Sequence, residues 1–86
     1  MQPLEELLHR IVWDAEFGRG SFALGYYDRV LHREIVVPMS ALTLSTGQPR
    51  TFTFEDEQGV ARTVPLHRVR TVYKGGSPIW RRPQRT

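Results

Sequence analysis

The apolar residues of this 86-residue chain change their repeat period once, and that change constrains the fold more than any other feature. Leu4, Leu7, Leu8, Ile11 and Val12 recur at i, i+3, i+4, i+7 and i+8, the stripe of a helix that buries one side. After Ser21 the period is two: Phe22, Leu24 and Tyr26 alternate with Ala23, Gly25 and Tyr27, and the later apolar segments follow the same rule. One helical segment followed only by strand-like segments reads as an α+β domain, an N-terminal amphipathic helix packed on a meandering antiparallel sheet of about five or six strands.

The expected helix covers about 3–13. Pro3 suits a first helical position, Glu5 and Glu6 fall where the helix dipole favours acids, His9 and Arg10 follow toward its end, and Trp13-Asp14 closes it. Strands are expected at about 22–28, 35–40, 51–55, 60–66, 69–74 and 78–82. Gly18-Arg19-Gly20 reads as a loop and 45–49 as a turn. Pro38 marks an edge or a bulge, because proline has no N–H to give a central ladder. Glu55 to Gly59 and Lys74 to Ser77 read as hairpin connections. Val64 and Leu66 share one parity, Val69 takes the other and Val72 returns to the first, so a bulge or corner is expected around His67-Arg68. Residues 83–86 form a basic tail.

Length and charge narrow the function. A chain this short is expected to be one domain, 1–86. It has no cysteine, hence no disulfide framework and no thiolate zinc site, and its core rests on apolar packing that includes nine aromatic residues. No apolar run approaches the ~18 residues of a membrane span, and no signal pattern opens the chain, so a soluble, cytoplasmic protein without a membrane partner is expected. The formal charge is +3, carried by eleven arginines and a single lysine against nine acids. Arginine makes forked contacts to phosphate and carboxylate and stacks on aromatic rings. Residues 60–86 hold seven basic groups (Arg62, Arg68, Arg70, Lys74, Arg81, Arg82 and Arg85) and no acid. That asymmetry fits either a polyanion site or a solvated arginine-rich surface.

Each histidine precedes an arginine. His9 reads as a helix-surface residue and His32 as a loop residue. His67 sits at the expected corner, where one ring nitrogen can donate and the other accept while Arg68 takes an anion's charge. Tyr26-Tyr27-Asp28-Arg29 forms a second constellation: Asp28 could orient an arginine across the sheet, or form a plain strand-end ion pair of ~0–1 kcal/mol. Trp13 and Trp80 read as core or rim packing, although an aromatic near arginines could also stack a base.

Enzymatic patterns are missing. The chain has no glycine-rich phosphate loop followed by lysine and no nucleophile elbow, and no histidine is followed two residues later by Ser or Thr. Its three scattered histidines lack the helical i, i+4 spacing of a metal site. No catalytic residue, cofactor or metal is expected.

Four segments together form a pattern: Ile11-Val12-Trp13-Asp14, Phe22 to Arg29, Val64-Pro65-Leu66-His67-Arg68-Val69, and Pro78-Ile79-Trp80-Arg81. In order and spacing this set resembles the RNA cyclic group end recognition domain, over roughly Leu4 to Arg82. The resemblance implies a non-catalytic module that recognises RNA 3′ or 5′ termini carrying cyclic phosphate or phosphate, in the company of RNA-processing enzymes. The polar positions it matches are Asp14, Asp28, Arg29, His67 and Arg68. It departs at Ala15-Glu16, where many relatives carry a Pro-Arg pair. The expected ligand residues are Arg29, His67, Arg68, Asp28 and Arg81, with Asp14, Tyr27 and Arg70 secondary. Two other readings stay open: a protein-interaction module whose exposed edge and basic hairpin dock an acidic partner, and a weak, metal-independent phosphoesterase using His67 with Asp28.

Overall fold

The helical stripe folds as its spacing requires. In the computed structural model, which describes residues 3–14, 16, 19–45 and 50–83, helix α1 runs Leu4–Trp13 and buries Leu4, Leu7, Leu8 and Ile11. Pro3 flanks the helix rather than opening it, and its carbonyl accepts the Leu7 N–H at 3.1 Å. One expectation fails here: Val12, placed on the buried stripe by its spacing, is 54% exposed. Trp13, expected as core or rim packing, is 75% exposed and is no part of the core. Both residues occupy the last turn, before Asp14 caps the helix by donating its N–H to the Arg10 carbonyl at 2.9 Å.

Among the described residues seven strands follow, in two antiparallel sheets rather than one meander: β1 Phe22–Asp28, β2 Arg33–Pro38, β3 Leu42–Leu44, β4 Thr51–Glu55, β5 Ala61–Pro65, β6 Val69–Lys74 and β7 Ser77–Arg81. The first sheet has the order β2-β1-β6-β7 and the second β3-β4-β5. The strand expected at 35–40 starts two residues earlier and stops at Pro38, where a single 3-10 turn, Met39–Ala41, leads to β3. All of the expected 45–49 turn but Ser45, Gly18 of the 18–20 loop and most of the 83–86 tail lie outside the described residues. Among the described residues no helix is long and apolar enough to cross a membrane.

The inner faces of both sheets and the helix stripe share one hydrophobic cluster. Phe52, Leu24, Val69 and Val72 are fully buried, each contributing roughly 1.5–3 kcal/mol relative to exposure. Tyr26, Phe52 and Phe54 pack ring to ring at centroid distances of 5.8 to 6.1 Å. Trp80 is buried with them.

The connections follow their residues. Gly75 and Gly76 both take positive φ, 58° and 84°, as a two-residue hairpin turn matched to strand twist demands. Asp28 Oδ1 accepts the N–H groups of Val30 at 2.8 Å and Leu31 at 3.0 Å, organising the four-residue turn from β1 to β2. His32 closes that turn at φ 54°. Asp56 does the same for the β4–β5 hairpin, accepting from Gln58 and Val60 at 2.9 Å each. The parity slip is resolved by a corner: a 3-10 turn, Leu66–Arg68, carries the chain from β5 in one sheet to β6 in the other.

Candidate nucleic-acid interface

A bulge determines which side chains reach the outer face of the four-stranded sheet. Thr71 pairs with Gly25, but the next pair is Val69 with Tyr26, so Arg70 is an extra residue on β6. Without that extra residue Arg70 would sit opposite Tyr26 and face the core. With it, the Arg70 guanidinium lies 5.3 Å from the centre of the Tyr27 ring on the solvent side, a cation–π contact. Arg81 pairs with Thr71 from the other flank and shares that face.

The centre of the face is polar and tightly organised. Glu34 Oε1 accepts the Thr71 hydroxyl at 2.9 Å and Oε2 accepts the Tyr73 hydroxyl at 2.6 Å. The carboxylate reaches them by lying flat across Gly25: a Cβ there would stand 2.6 Å from Glu34 Cδ. The Glu34 hydrogen bond raises the Tyr73 pKa above its ordinary value, with burial adding to it and the charge of Arg81 working the other way. Tyr73, Glu34 and Thr71 are site-facing residues that sequence reasoning missed. Glu34 is 37 and 39 residues from its two partners, so no local pattern points to the cluster.

The corner borders this face. His67 and Arg68 are both exposed on the Leu66–Arg68 turn, next to the bulge and at the Asp28 end of β1, since Val69 pairs with Tyr26. Arg82 secures the arrangement. Its Nε donates to the Val69 carbonyl at 2.8 Å, its Nη2 to the Leu66 carbonyl at 3.2 Å, and its guanidinium lies 5.3 Å from the Trp80 ring centre. Its backbone N–H also donates to the Arg70 carbonyl at 2.8 Å. In the sequence Arg82 is one more basic residue near the end; in the fold it buttresses the corner.

The structure therefore brings Tyr27, Arg70 and Arg81 onto one face, with His67 and Arg68 at its border. Arg29 is exposed in the β1–β2 turn, at the same end of the sheet. Asp28 does not orient an arginine as expected, because its carboxylate organises that turn. The Leu31 N–H is the main reason its pKa falls below the usual carboxylate range; the Val30 N–H and the charges of Arg62 and Arg33 add smaller contributions. Asp14 stands apart at the end of α1, where Oδ1 accepts the Glu16 N–H at 3.1 Å. Among the described residues no group of three or more His, Asp or Glu could hold a metal ion.

Fold and surface together define a small α+β module that presents an arginine- and tyrosine-bearing sheet face beside a His-Arg corner. The chain belongs to the MJ1316 RNA cyclic group end recognition domain family, whose model matches residues 1–82. No curated protein and no solved structure matches the chain.

Proposed function

We propose that this protein is a non-catalytic RNA-binding module, and that the outer face of its four-stranded sheet receives an RNA terminus carrying a cyclic phosphate or phosphate group. The observation that carries this reading is the bulge that turns Arg70 outward over Tyr27, alongside Arg81 and next to His67-Arg68. Membership of a family described by RNA cyclic group end recognition supports it.

Each residue has a chemical part. Arg68, Arg70 and Arg81 offer guanidinium forks to phosphate oxygens, and Arg29 extends the basic border. His67 donates or accepts a hydrogen bond at phosphate or a ribose hydroxyl. Tyr27 and Tyr73 offer ring surface to an unstacked base, and such stacking contributes about 1–3 kcal/mol per base. Asp28 acts indirectly, by holding the turn that carries Arg29. The proposed site contains one histidine, and the carboxylate at its centre, Glu34, is taken up by the Thr71 and Tyr73 hydroxyls; this favours recognition over hydrolysis, since acid–base catalysis needs positioned groups to take and give protons.

The test is an amide chemical-shift map with a short oligonucleotide ending in a cyclic 2′,3′-phosphate. Changes are expected at residues 67–71, 81–82 and Tyr27. Three engaged phosphates predict a slope of about −2 in log affinity against log salt, at roughly −0.7 per single-strand phosphate. Shifts concentrated on the β4–β5 hairpin, or affinity insensitive to salt, would refute the reading. A cyclic phosphate opened during the titration, with the opening lost in His67→Ala, would replace recognition by hydrolysis.

A further inference from the structure

The strand at the far side of the same sheet has an open edge and a cleft beside it. β2 is terminal in the order β2-β1-β6-β7, and among the described residues no strand pairs with its outer side. Pro38 has no N–H, so its pairing with Ala23 is a non-hydrogen-bonded one. The regular register then makes the Val36–Gly25 and Glu34–Tyr27 pairs non-hydrogen-bonded as well. The backbone N–H and C=O groups of Glu34 and Val36 therefore point away from β1, toward the open edge.

A cleft of about 560 Å³ runs along this edge. Ile35, Val36, Val37 and Pro38 line it as four consecutive residues. Side chains on a strand alternate between faces, so a consecutive run means that the strand's backbone edge itself forms the wall. The opposite wall is the tip of the β4–β5 hairpin, and Tyr26 and Phe54 also line the space. Val30 at its mouth is 86% exposed, Leu31 54% and Val36 51%, an apolar strip that exposed turn and edge positions do not need for folding.

Charge decides what could occupy the cleft. It is lined by four carboxylates, Asp28, Glu55, Asp56 and Glu57, against two guanidiniums, Arg33 and Arg62. Arg62 is already engaged by Asp56, Nε to Oδ2 at 2.9 Å. An RNA backbone would meet net negative charge here, and a second copy of this chain would bring the same acids against themselves. A basic strand suits the site: lysine or arginine stems lie on the apolar floor while their heads reach the hairpin acids.

We propose that the open edge of β2 docks an extended, basic segment of a partner protein, added as a further strand next to β2. Main-chain hydrogen bonds to Glu34 and Val36 would supply affinity, and the acidic cleft would supply selectivity. The docking edge lies across β1 from the β6–β7 arginines, and it meets the RNA-facing border at the β1–β2 turn, where Asp28, Val30 and Leu31 line the cleft on either side of Arg29.

The test uses the full chain and two capped hexapeptides, Lys-Val-Lys-Val-Lys-Val and Glu-Val-Glu-Val-Glu-Val, each matching the six residues of β2. The basic peptide is expected to bind saturably, with amide shifts confined to residues 33–37 and 54–58. Its acidic counterpart should bind about tenfold more weakly or worse, because like charge is placed against the hairpin acids. Glu57→Lys, an exposed loop change that leaves folding intact, should weaken the basic peptide about tenfold. Val36→Pro removes an outward N–H without breaking a hydrogen bond to β1 and should do likewise at an unchanged urea midpoint. Equal binding of both peptides would overturn the proposal, as would shifts on β6 and β7 instead. Concentration-dependent dimerisation through β2 would overturn it too, in favour of a second copy.

Discussion

Replacing Gly25 by alanine tests whether the outer face is organised as described. The Gly25 backbone is ordinary strand, so the consequence lies in the new Cβ, which would stand 2.6 Å from Glu34 Cδ, 2.7 Å from Oε1 and 3.1 Å from Cγ. All three atoms belong to a flexible side chain, so the carboxylate swings away rather than the sheet distorting. Glu34 then releases the Thr71 and Tyr73 hydroxyls, and Thr71 is a buried residue. Hydrogen bonds to a charged group contribute roughly 1.5–3 kcal/mol each, and one open side toward solvent lowers that figure. Alanine in a strand recovers about 0.5–1 kcal/mol of the backbone entropy that glycine costs. The expected net loss is about 1–3 kcal/mol, read as a lower urea midpoint at constant m-value. A second readout is specific to the mechanism. The Tyr73 phenol is held above its ordinary 10.0 chiefly by Glu34. Its raised folded-state value stabilises the protein below the unfolded value, and that stability is lost as pH rises through the folded value. In Gly25→Ala the ultraviolet titration assigned to Tyr73, by difference from Tyr73→Phe, should fall back toward 10.0. An unchanged midpoint with an unmoved titration would refute the reasoning.

Three further outcomes follow from the same contacts. Arg82→Ala removes two hydrogen bonds to corner carbonyls and the stack on Trp80; it should cost about 1–3 kcal/mol, a drop of several degrees in thermal midpoint for a domain of this size. Arg82→Lys should recover little of it, because an ammonium cannot reproduce the planar fork; full recovery would contradict the buttress. Asp28 and Asp56 both have pKa values lowered from 3.8, each chiefly by a backbone N–H it accepts. Their stabilisation is present above the unfolded value and lost as pH falls through the folded one, so the amide shifts of Val30, Leu31, Gln58 and Val60 should titrate with midpoints below 3.8. Midpoints at or above that value would deny the turn-holding part of both carboxylates. Phe52→Ala, at a fully buried position, should cost about 3–5 kcal/mol by denaturant unfolding; a neutral result would deny that the two sheets share one core.

Much of the fold is written in local pattern. The α1 stripe, the Glu55 to Gly59 connection, the paired glycines before β7 and the proline at the end of β2 each follow from spacing or from one residue's stereochemistry. The parity change between Val69 and Val72 carries the most functional information, since it marks the bulge that exposes Arg70. Other features are invisible for physical reasons. β3 has three residues, too few for alternation to register. The split into two sheets depends on pairings between distant segments. Val12 continues the helical spacing, yet in the last turn of α1 it is left facing solvent. The Glu34 cluster joins residues nearly forty positions apart, and the part Arg82 plays depends on carbonyls that only the folded corner aims at it.

The central claim is that the arginine face and its corner distinguish RNA ends. The most direct measurement titrates one oligonucleotide in three forms, ending in a cyclic 2′,3′-phosphate, a 3′-phosphate or a plain hydroxyl, against the intact protein at fixed salt. Tighter binding of the phosphate-bearing ends is predicted, with the preference lost in Arg68→Ala and Arg70→Ala. Equal binding of all three forms, or a preference that survives both substitutions, would contradict it.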